Sequence, residues 1–279
     1  VPTGLMATTS DGSAILDWDS PVDADFQYFT IYSNGVLLDY TIESTYTDYA
    51  YGALEYFITA TDANGNEQWN HTFGGVSNDK GHSVQQTSDG GYIITGHTGV
   101  MESGTNLLDS EVLLLKINSD GDSLWTKTFG GVESDKGYSV KQTSDNGYII
   151  SASIETDYQG PTDVWLINAD SNGDTSWSTT FDIDIFDHPE AVLQTIDGGF
   201  AIAGYSAVNG DDSTGTSWII KTDESGQQIW MQDLNSVSAI HSMIETQEGD
   251  LLLTGGKGSD SDIQAWLIKT SSNGDVLWE

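Results

Sequence analysis

Trp125-Thr-Lys-Thr-Phe-Gly-Gly131, Asp135-Lys-Gly-Tyr-Ser-Val-Lys-Gln-Thr143 and Asp145-Asn-Gly-Tyr-Ile-Ile150 form a pattern that returns along the chain. The tryptophans that open successive copies stand 56, 52, 53 and 48 residues apart: Trp69, Trp125, Trp177, Trp230 and Trp278. A second landmark always precedes the next tryptophan by nine residues: Lys116, Asn168, Lys221 and Lys269. Periods of this size are typical of repeated β-sheet units, and everything after about residue 70 is one repeated pattern.

Each repeat contains four short segments rich in β-branched and aromatic residues. In the first repeat these segments are 83–87, 92–96, 112–116 and 124–129. Their constant spacing predicts antiparallel strands, because a slip of one residue would turn every side chain to the opposite face. Turns such as Ser88-Asp-Gly-Gly91 supply glycine where a tight turn needs a positive φ.

We therefore predict an all-β fold: a β-propeller of four visible four-stranded blades, preceded by a β-sandwich. The predicted blades cover about 72–127, 128–179, 180–232 and 233–279, within a propeller domain of 69–279. A three-strand β-helix is the less favoured alternative, because its coils are usually shorter and contain fewer glycine turns. Since five tryptophan strands occur with only four sets of the other three, we predict that the blades belong to a larger propeller, with a closed four-blade ring as the alternative.

The first 68 residues form a separate segment with alternating apolar positions, as in Ala14, Leu16 and Trp18. This segment resembles a fibronectin type III domain in its Pro2-Thr-Gly-Leu5 start and in other stretches: Leu16-Asp-Trp18, Tyr28-Phe-Thr-Ile-Tyr-Ser-Asn-Gly35 and Tyr56-Phe-Ile-Thr-Ala-Thr-Asp-Ala-Asn-Gly65. The resemblance implies a small β-sandwich over 1–68. One position departs from that family, because Leu54 stands where its corner tyrosine is expected.

The repeat itself resembles that of a family of secreted bacterial and archaeal surface proteins predicted to form propellers. Phe-Gly-Gly, Asp-x-Gly-x-Ser-Val-x-Gln-Thr, Asp-Gly-Gly-Tyr-Ile-Ile and Trp-Leu-Ile-Lys carry the resemblance over 69–279. The Phe-Gly-Gly stretch has changed to Phe181-Asp-Ile183 and Leu234-Asn-Ser236 in later copies. The resemblance implies an extracellular or cell-surface location. The start at Val1 agrees with a mature or excised product.

The charge excludes several functions. Eight lysines, no arginine and 43 acidic residues give a formal net charge of −35. Such a chain repels nucleic acid and anionic membranes, and it contains no apolar run long enough to insert into a membrane. The acidity suits either solvation in salty water or a dedicated cation site.

The titratable residues give few catalytic signals. His82 and His241 align with Tyr138 and Glu190 at the start of the innermost strand, near the predicted central channel. A metal site there would need its ligands to converge, and a plain structural role is favoured. Asp170, Asn172 and Asp174 resemble the start of a calcium loop, but Phe181 stands where an EF-hand needs a glutamate. No catalytic motif occurs, so we predict no enzyme, no catalytic residue and no cofactor, with calcium as the one exception left open.

The loops after the second strand of each repeat vary in length, whereas the glycine turns do not. Variable loops often carry recognition, so a ligand rim is predicted at 97–111, 153–163, 205–216 and 256–264. Its candidate residues are Asp79, His97, Asp135, Tyr158, Asp187 and Tyr205. The sequence thus favours a non-catalytic scaffold, adhesion or ligand-binding module whose partner is a protein or glycan. A carbohydrate-binding or glycoside-processing propeller is the alternative.

Overall fold

The computed structural model of the chain describes residues 3–10, 13–19, 29–33, 36–41, 45–48, 56–59, 71–74, 79–101, 108–131, 133–157, 160–207, 215–259 and 262–279. Regular structure in these ranges consists entirely of β-strands, and nearly all strand pairs are antiparallel. The predicted all-β class is therefore confirmed. Within the same ranges there is no helix of the length and apolarity that crossing a membrane requires.

The repeats fold as four-stranded units in which consecutive strands pair as hairpins. The first unit contains β7 (Asp79–Gln86), β8 (Tyr92–Met101), β9 (Leu108–Ile117) and β10 (Ser123–Phe129). The second contains β11 (Lys136–Gln142), β12 (Tyr148–Glu155), β13 (Thr162–Ala169) and β14 (Thr175–Phe181). The third contains β15 (Phe186–Gln194), β16 (Phe200–Ala207), β17 (Thr216–Thr222) and the first part of β18 (Gln228–Glu245). The fourth contains the rest of β18, then β19 (Leu251–Ser259), β20 (Asp262–Thr270) and β21 (Val276–Trp278).

The N-terminal strands correct the prediction of a separate fibronectin type III sandwich. They are β1 (Thr3–Ser10), β2 (Ser13–Asp19), β3 (Phe29–Ser33), β4 (Val36–Thr41), β5 (Thr45–Asp48) and β6 (Tyr56–Thr59). Strand β1 pairs with β7 at Met6 and Ser83, so β1, β2 and β5 continue the sheet of the first unit. Strands β3, β4 and β6 form a three-stranded sheet of their own. The predicted last sandwich strand, with Trp69, lies outside the described residues.

The turn between the first two strands of the first three units explains a recurring Thr-x-Asp, whose threonine hydroxyl donates to the aspartate. In the first unit the Thr87 hydroxyl donates to Asp89 (2.5 Å), and the Lys116 ammonium lies 3.0 Å from the same carboxylate. The Thr87 hydrogen bond lowers the pKa of Asp89 to about 2, with Lys116 adding to the effect and burial opposing it. The residues with positive φ in the four turns are Gly90, Asn146, Gly198 and Gly249. Glycine and asparagine tolerate this conformation best, as the sequence predicts.

The core lies between neighbouring units, which pack face to face in a β-propeller-like arrangement. Ile93 and Leu114 of the first unit pack with Tyr148 and Ile150 of the second. The same kind of contact joins the second unit to the third and the third to the fourth. We call the face that each unit turns to the next its forward face. In every unit, the forward face is the side of the sheet that carries the residues aligned with Ile93 and Leu114 of the first unit.

Candidate functional site

A β-bulge interrupts the first strand of every unit at the same repeat position. The register shifts between Gly81 and Ser83, and likewise in the other units. The first strands of successive units contact one another, so they lie side by side on the inner edge of the sheets. The bulged residues are His82, Tyr138, Glu190 and His241. With the adjacent His97 we call these residues the axial cluster.

His82, His97 and Tyr138 form the aromatic part of the axial cluster. The ring centroids of His82 and His97 are 5.0 Å apart, and those of His82 and Tyr138 are 5.6 Å apart. The Nδ1 atom of His82 lies 2.8 Å from the Gly137 carbonyl oxygen, to which it donates in the tautomer with a proton on Nδ1. Burial lowers the pKa of His82 to about 4 and that of His97 to about 3. Both imidazoles are therefore neutral at neutral pH.

Glu190 and His241 form the polar part of the axial cluster. Glu190 Oε2 lies 4.0 Å from His241 Nδ1, and the two side chains are 9% and 27% exposed. Both atoms are buried, and neither has a hydrogen-bond partner among the described residues. A direct hydrogen bond needs about 2.7–3.2 Å between the heavy atoms. The pair is too far apart for such a bond and close enough to share one small polar group.

The aspartates predicted at the ligand rim occupy one repeat position. Asp135 accepts hydrogen bonds from the backbone N–H groups of Gly131 and Glu155, each at 3.0 Å. Asp187 accepts from Ile183 N–H at 2.9 Å and from the Ser206 hydroxyl at 2.5 Å. Both side chains are buried, and their carboxylates hold the loop before the first strand.

The other rim candidates are spread over several parts of the structure. Asp79 accepts a short hydrogen bond from the Thr98 hydroxyl. His97 belongs to the axial cluster, and Tyr205 stacks on His188 with ring centroids 4.9 Å apart. Tyr158 lies outside the described residues. Ligand binding at this rim stays a prediction.

Three carboxylates gather beside the loop that Asp187 holds. Asp163, Asp182 and Asp187 each offer one oxygen, and these oxygens lie within 4.8 Å of one another. Burial raises the pKa of Asp187 to about 6. Burial also raises the pKa of Asp163, and the nearby Asp182 charge adds to that effect. The arrangement can hold a cation, and we call it the aspartate cluster.

The predicted calcium-loop residues form a tight turn instead of a converging set. Asp170 Oδ1 accepts hydrogen bonds from the backbone N–H groups of Asn172 (2.8 Å) and Asp174 (3.0 Å). These contacts lower the pKa of Asp170. The Lys127 ammonium lies 2.6 Å from Asp174. Calcium binding at this turn stays a prediction.

From the sequence, the bulged residues lie at the start of one strand, where a plain structural role is favoured. The flanking Gly-x-Ser-Val occurs around His82 and Tyr138 only; Glu190 lies in Pro-Glu-Ala-Val and His241 in Ile-His-Ser-Met, so no motif marks the bulged position in all four units. The close approach of Glu190 and His241 joins two units and cannot be inferred from periodicity.

Comparison with known proteins finds similarity in structure and none in sequence. No protein-family model matches the chain, and no curated protein is similar to it in sequence. A protein of unknown function from Bacteroides caccae is 14% identical, with a TM-score of 0.50 over 100% of this chain and 93% of that one. An endo-arabinase from Bacteroides thetaiotaomicron is 10% identical, with a TM-score of 0.49 over 96% and 93% of the two chains. A glycosyl hydrolase from Bacteroides ovatus is 10% identical, with a TM-score of 0.40 over 99% and 87%.

These comparisons correct three expectations from the sequence. Recognition of a surface propeller family with a fibronectin type III domain is wrong, because no family model matches and the similar structures include glycosyl hydrolases. The non-catalytic scaffold or adhesion module and the prediction of no enzyme are wrong on the same finding. At such low identity the likeness itself extends to the fold alone, so the activity of this chain is a separate question.

Proposed function

We propose that this chain is a carbohydrate-processing enzyme that acts on glycosidic bonds outside the cell. Its units would form a propeller with the axial cluster as the sugar-binding site. The observation that carries the proposal is the pair formed by Glu190 Oε2 and His241 Nδ1, buried, 4.0 Å apart and without partners among the described residues. Buried polar atoms normally have a hydrogen-bond partner, so these two atoms can bind a polar group of a ligand.

A sugar hydroxyl fits the spacing of this pair. A hydroxyl oxygen about 2.8 Å from each atom, with the two hydrogen bonds near a right angle, spans about 4 Å. The hydroxyl would donate to Oε2 of Glu190, whose acid proton would be on Oε1, and would accept from His241, since a hydroxyl can do both.

Glu190 is the carboxyl group of the axial cluster that can transfer a proton. Glycoside hydrolysis uses a carboxylic acid that protonates the leaving oxygen of the glycosidic bond. A positioned acid of this kind contributes about 10²–10⁴-fold to the rate. Glu190 sits on a β-bulge, and bulges often aim side chains at active sites. We therefore assign to Glu190 the transfer of its acid proton to the leaving glycosidic oxygen as the bond to the anomeric carbon breaks, while water adds to that carbon and the proton that the water loses returns to Glu190. We assign sugar positioning to His241.

The aspartate cluster is a weaker candidate for the same chemistry. Its oxygens are within 4.8 Å of one another, near the separation of the two carboxyl groups in retaining glycosidases. However, Asp187 is fully buried, and its carboxylate oxygens already accept hydrogen bonds from Ser206, Ile183 and Asp184. Asp135 has a similar role in the second unit, where no such cluster is found among the described residues. We therefore assign the aspartate cluster a structural role.

Testing begins with the full chain, chromogenic aryl glycosides and a panel of plant and bacterial polysaccharides. The proposal expects turnover of at least one of them and a fall in kcat of about 100-fold or more for Glu190→Gln. Glu224→Gln, at an exposed turn, is the matched control and should keep full activity. No turnover across the panel, or equal activity of Glu190→Gln and Glu224→Gln, would overturn the proposal.

A further inference from the structure

Two lysines beside the axial cluster have no carboxylate partner. The chain contains eight lysines and 43 acidic residues. Five of the lysines form ion pairs with a carboxylate: Lys116, Lys127, Lys221, Lys257 and Lys269. Lys80 and Lys136 form no such pair with any of the described residues. Their positive charges can therefore act on a ligand.

Strand pairing places both lysines next to the histidines. Lys80 lies directly opposite His97 on β7 and β8, and side chains directly opposite each other in an antiparallel pair lie on the same face of the sheet. Lys136 directly precedes Gly137, whose carbonyl oxygen lies 2.8 Å from His82 Nδ1. The ring centroids of His82 and His97 are 5.0 Å apart. One small region at the inner edge of the first two units thus contains two lysines and two imidazoles.

The charges of the two lysines reach both imidazoles. Burial is the main cause of the low pKa of His82 and of His97, and the positive charges of Lys80 and Lys136 lower the pKa of each histidine further. Asp79 raises the pKa of His97, by less than either lysine lowers it. Electrostatic interactions weaken with distance and solvent screening. The positive charge of the lysines therefore outweighs the negative charge of Asp79 at this imidazole.

The fold does not require lysine at this repeat position. The residues aligned with Lys80 and Lys136 are His188 in the third unit and Ala239 in the fourth. The same hairpin and the same bulge form in all four units. Positive charge at this position is thus confined to the first two units, whereas the carboxylate–histidine pair of the axial cluster belongs to the third and fourth units.

His97 adds an unsatisfied polar atom to the same region. Its Nδ1 atom is buried and has no hydrogen-bond partner among the described residues. Buried polar atoms normally have a partner, and a neutral imidazole with its proton on Nδ1 donates to an acceptor there. A metal cation would be repelled by the two lysines. A negatively charged group would be attracted by them and could accept from His97.

We propose that this side of the axial cluster binds the negatively charged group of an acidic sugar residue, a carboxylate or a sulfate ester, through Lys80, Lys136 and His97. The assignment rests on the proposed function and names its substrate class: a polysaccharide with isolated acidic residues among neutral ones. One pair of lysines suits a single anionic group. The net charge of −35 repels a polysaccharide that is acidic at every residue.

Isothermal titration calorimetry of the full chain measures the preference for charge without requiring turnover. The probes are short oligosaccharides with one uronate residue and others of equal length with one sulfate ester. Each is compared with its uncharged counterpart, the methyl ester of the uronate or the desulfated sugar. The expected result is about tenfold or more tighter binding of at least one charged probe than of its counterpart, because hydrogen bonds to charged groups are the stronger ones.

Two lysine variants locate the charge preference. Lys80→Gln and Lys136→Gln should each raise the dissociation constant of the preferred charged probe about tenfold, and they should leave binding of its uncharged counterpart unchanged. Lys127→Gln is the matched control, because it removes one positive charge from the last strand of the first unit, where Lys127 pairs with Asp174. It should change neither constant. Lys80 is exposed, so Lys80→Gln should melt at the temperature of the unmodified protein.

Failure of this assignment can be told apart from failure of the proposed function. Tight binding of a charged probe that the lysine variants weaken, without turnover in the activity screen, would support the anionic site and overturn the enzymatic activity. Equal affinity for charged and uncharged probes, no binding of any probe, or equal effects of Lys80→Gln and Lys127→Gln would overturn the anionic site. The comparison of Glu190→Gln with Glu224→Gln would stand in that case. The charged probe that binds more tightly identifies the group as carboxylate or sulfate.

Discussion

The six-membered ring of Trp177 covers Gly226 so closely that a Cβ atom on the glycine would overlap the ring. Trp177 lies on the last strand of the second unit, and Gly226 lies in the last turn of the third unit. Trp125 covers Gly173 in the same way, and Trp230 covers Gly274. The two landmarks of the repeat are therefore partners across unit interfaces, which explains why both recur.

Gly226→Ala should destabilise the protein for two reasons. Gly226 has a φ of +81°, which L-residues rarely adopt, and its Cβ would displace the Trp177 ring. Overpacking of this kind costs about 1–3 kcal/mol. Urea denaturation should show a lower free energy of unfolding by that amount plus the cost of the turn conformation.

Gly198→Ala is the matched control for that variant. Gly198 has a φ of +88°, but nothing lies within 4 Å of its Cβ position. It should show the conformational cost alone, about 1 kcal/mol. If the free energy of unfolding fell equally in Gly226→Ala and Gly198→Ala, the close contact of Trp177 with residue 226 would contribute nothing to the destabilisation.

Asp187 should make stability depend on pH. Burial raises the pKa of Asp187 to about 6 in the folded chain, against about 3.9 in the unfolded chain. Between these values the native state binds more protons, so the free energy of unfolding falls as pH rises from about 4 to 6. The fall due to Asp187 should reach about 3 kcal/mol. Urea denaturation at several pH values, with EDTA present, measures it.

Two variants isolate that effect from the general repulsion of an acidic chain. Asp187→Asn removes the titrating group and should flatten the decline. The Ser225 hydroxyl lowers the pKa of Asp223, so Asp223 titrates below this window and Asp223→Asn should keep the decline. If Asp187→Asn and Asp223→Asn had the same pH profile, the assignment to Asp187 would be refuted.

Calcium should stabilise the chain through the aspartate cluster. Calcium binds oxygen ligands at about 2.3–2.6 Å, so ligand oxygens on opposite sides of the ion lie about 5 Å apart. The oxygens of Asp163, Asp182 and Asp187 lie within 4.8 Å of one another. A calorimetric melt should move to higher temperature with calcium and return with EDTA. Asp163→Asn should remove most of the shift, whereas Asp170→Asn should retain it; the reverse pattern would place the ion in the 170–174 turn.

Local features of the fold could be predicted from the sequence, and contacts between distant strands could not. The turn at Gly90 follows from Ser-Asp-Gly-Gly, because only a few residues tolerate its positive φ. The pairing of Met6 with Ser83 joins strands that are far apart in the sequence, and no local pattern predicts it. Similarly, Asp187 was predicted at an open rim from its place in the repeat, whereas its burial depends on Ser206 and the preceding loop.

The candidate site also combines a feature that the sequence predicts with contacts that it does not predict. The sequence places His82, Tyr138, Glu190 and His241 at one repeat position. It does not show that this position is a bulge, or that Glu190 and His241 face each other with atoms that have no hydrogen-bond partner in the part of the chain that the structure describes. The registers that create the bulges are set by pairing along whole strands. A function carried by such a pair is therefore invisible to motif searching.

Glu190 and His241 are proposed to share one sugar hydroxyl, and a crystal structure of the Glu190→Gln variant with a sugar found in the activity screen would show it. We expect a hydroxyl oxygen at hydrogen-bond distance, about 2.6–3.2 Å, from both the residue-190 side chain and His241 Nδ1. A sugar bound at the variable loops or beside the aspartate cluster, with the axial cluster untouched, would contradict it.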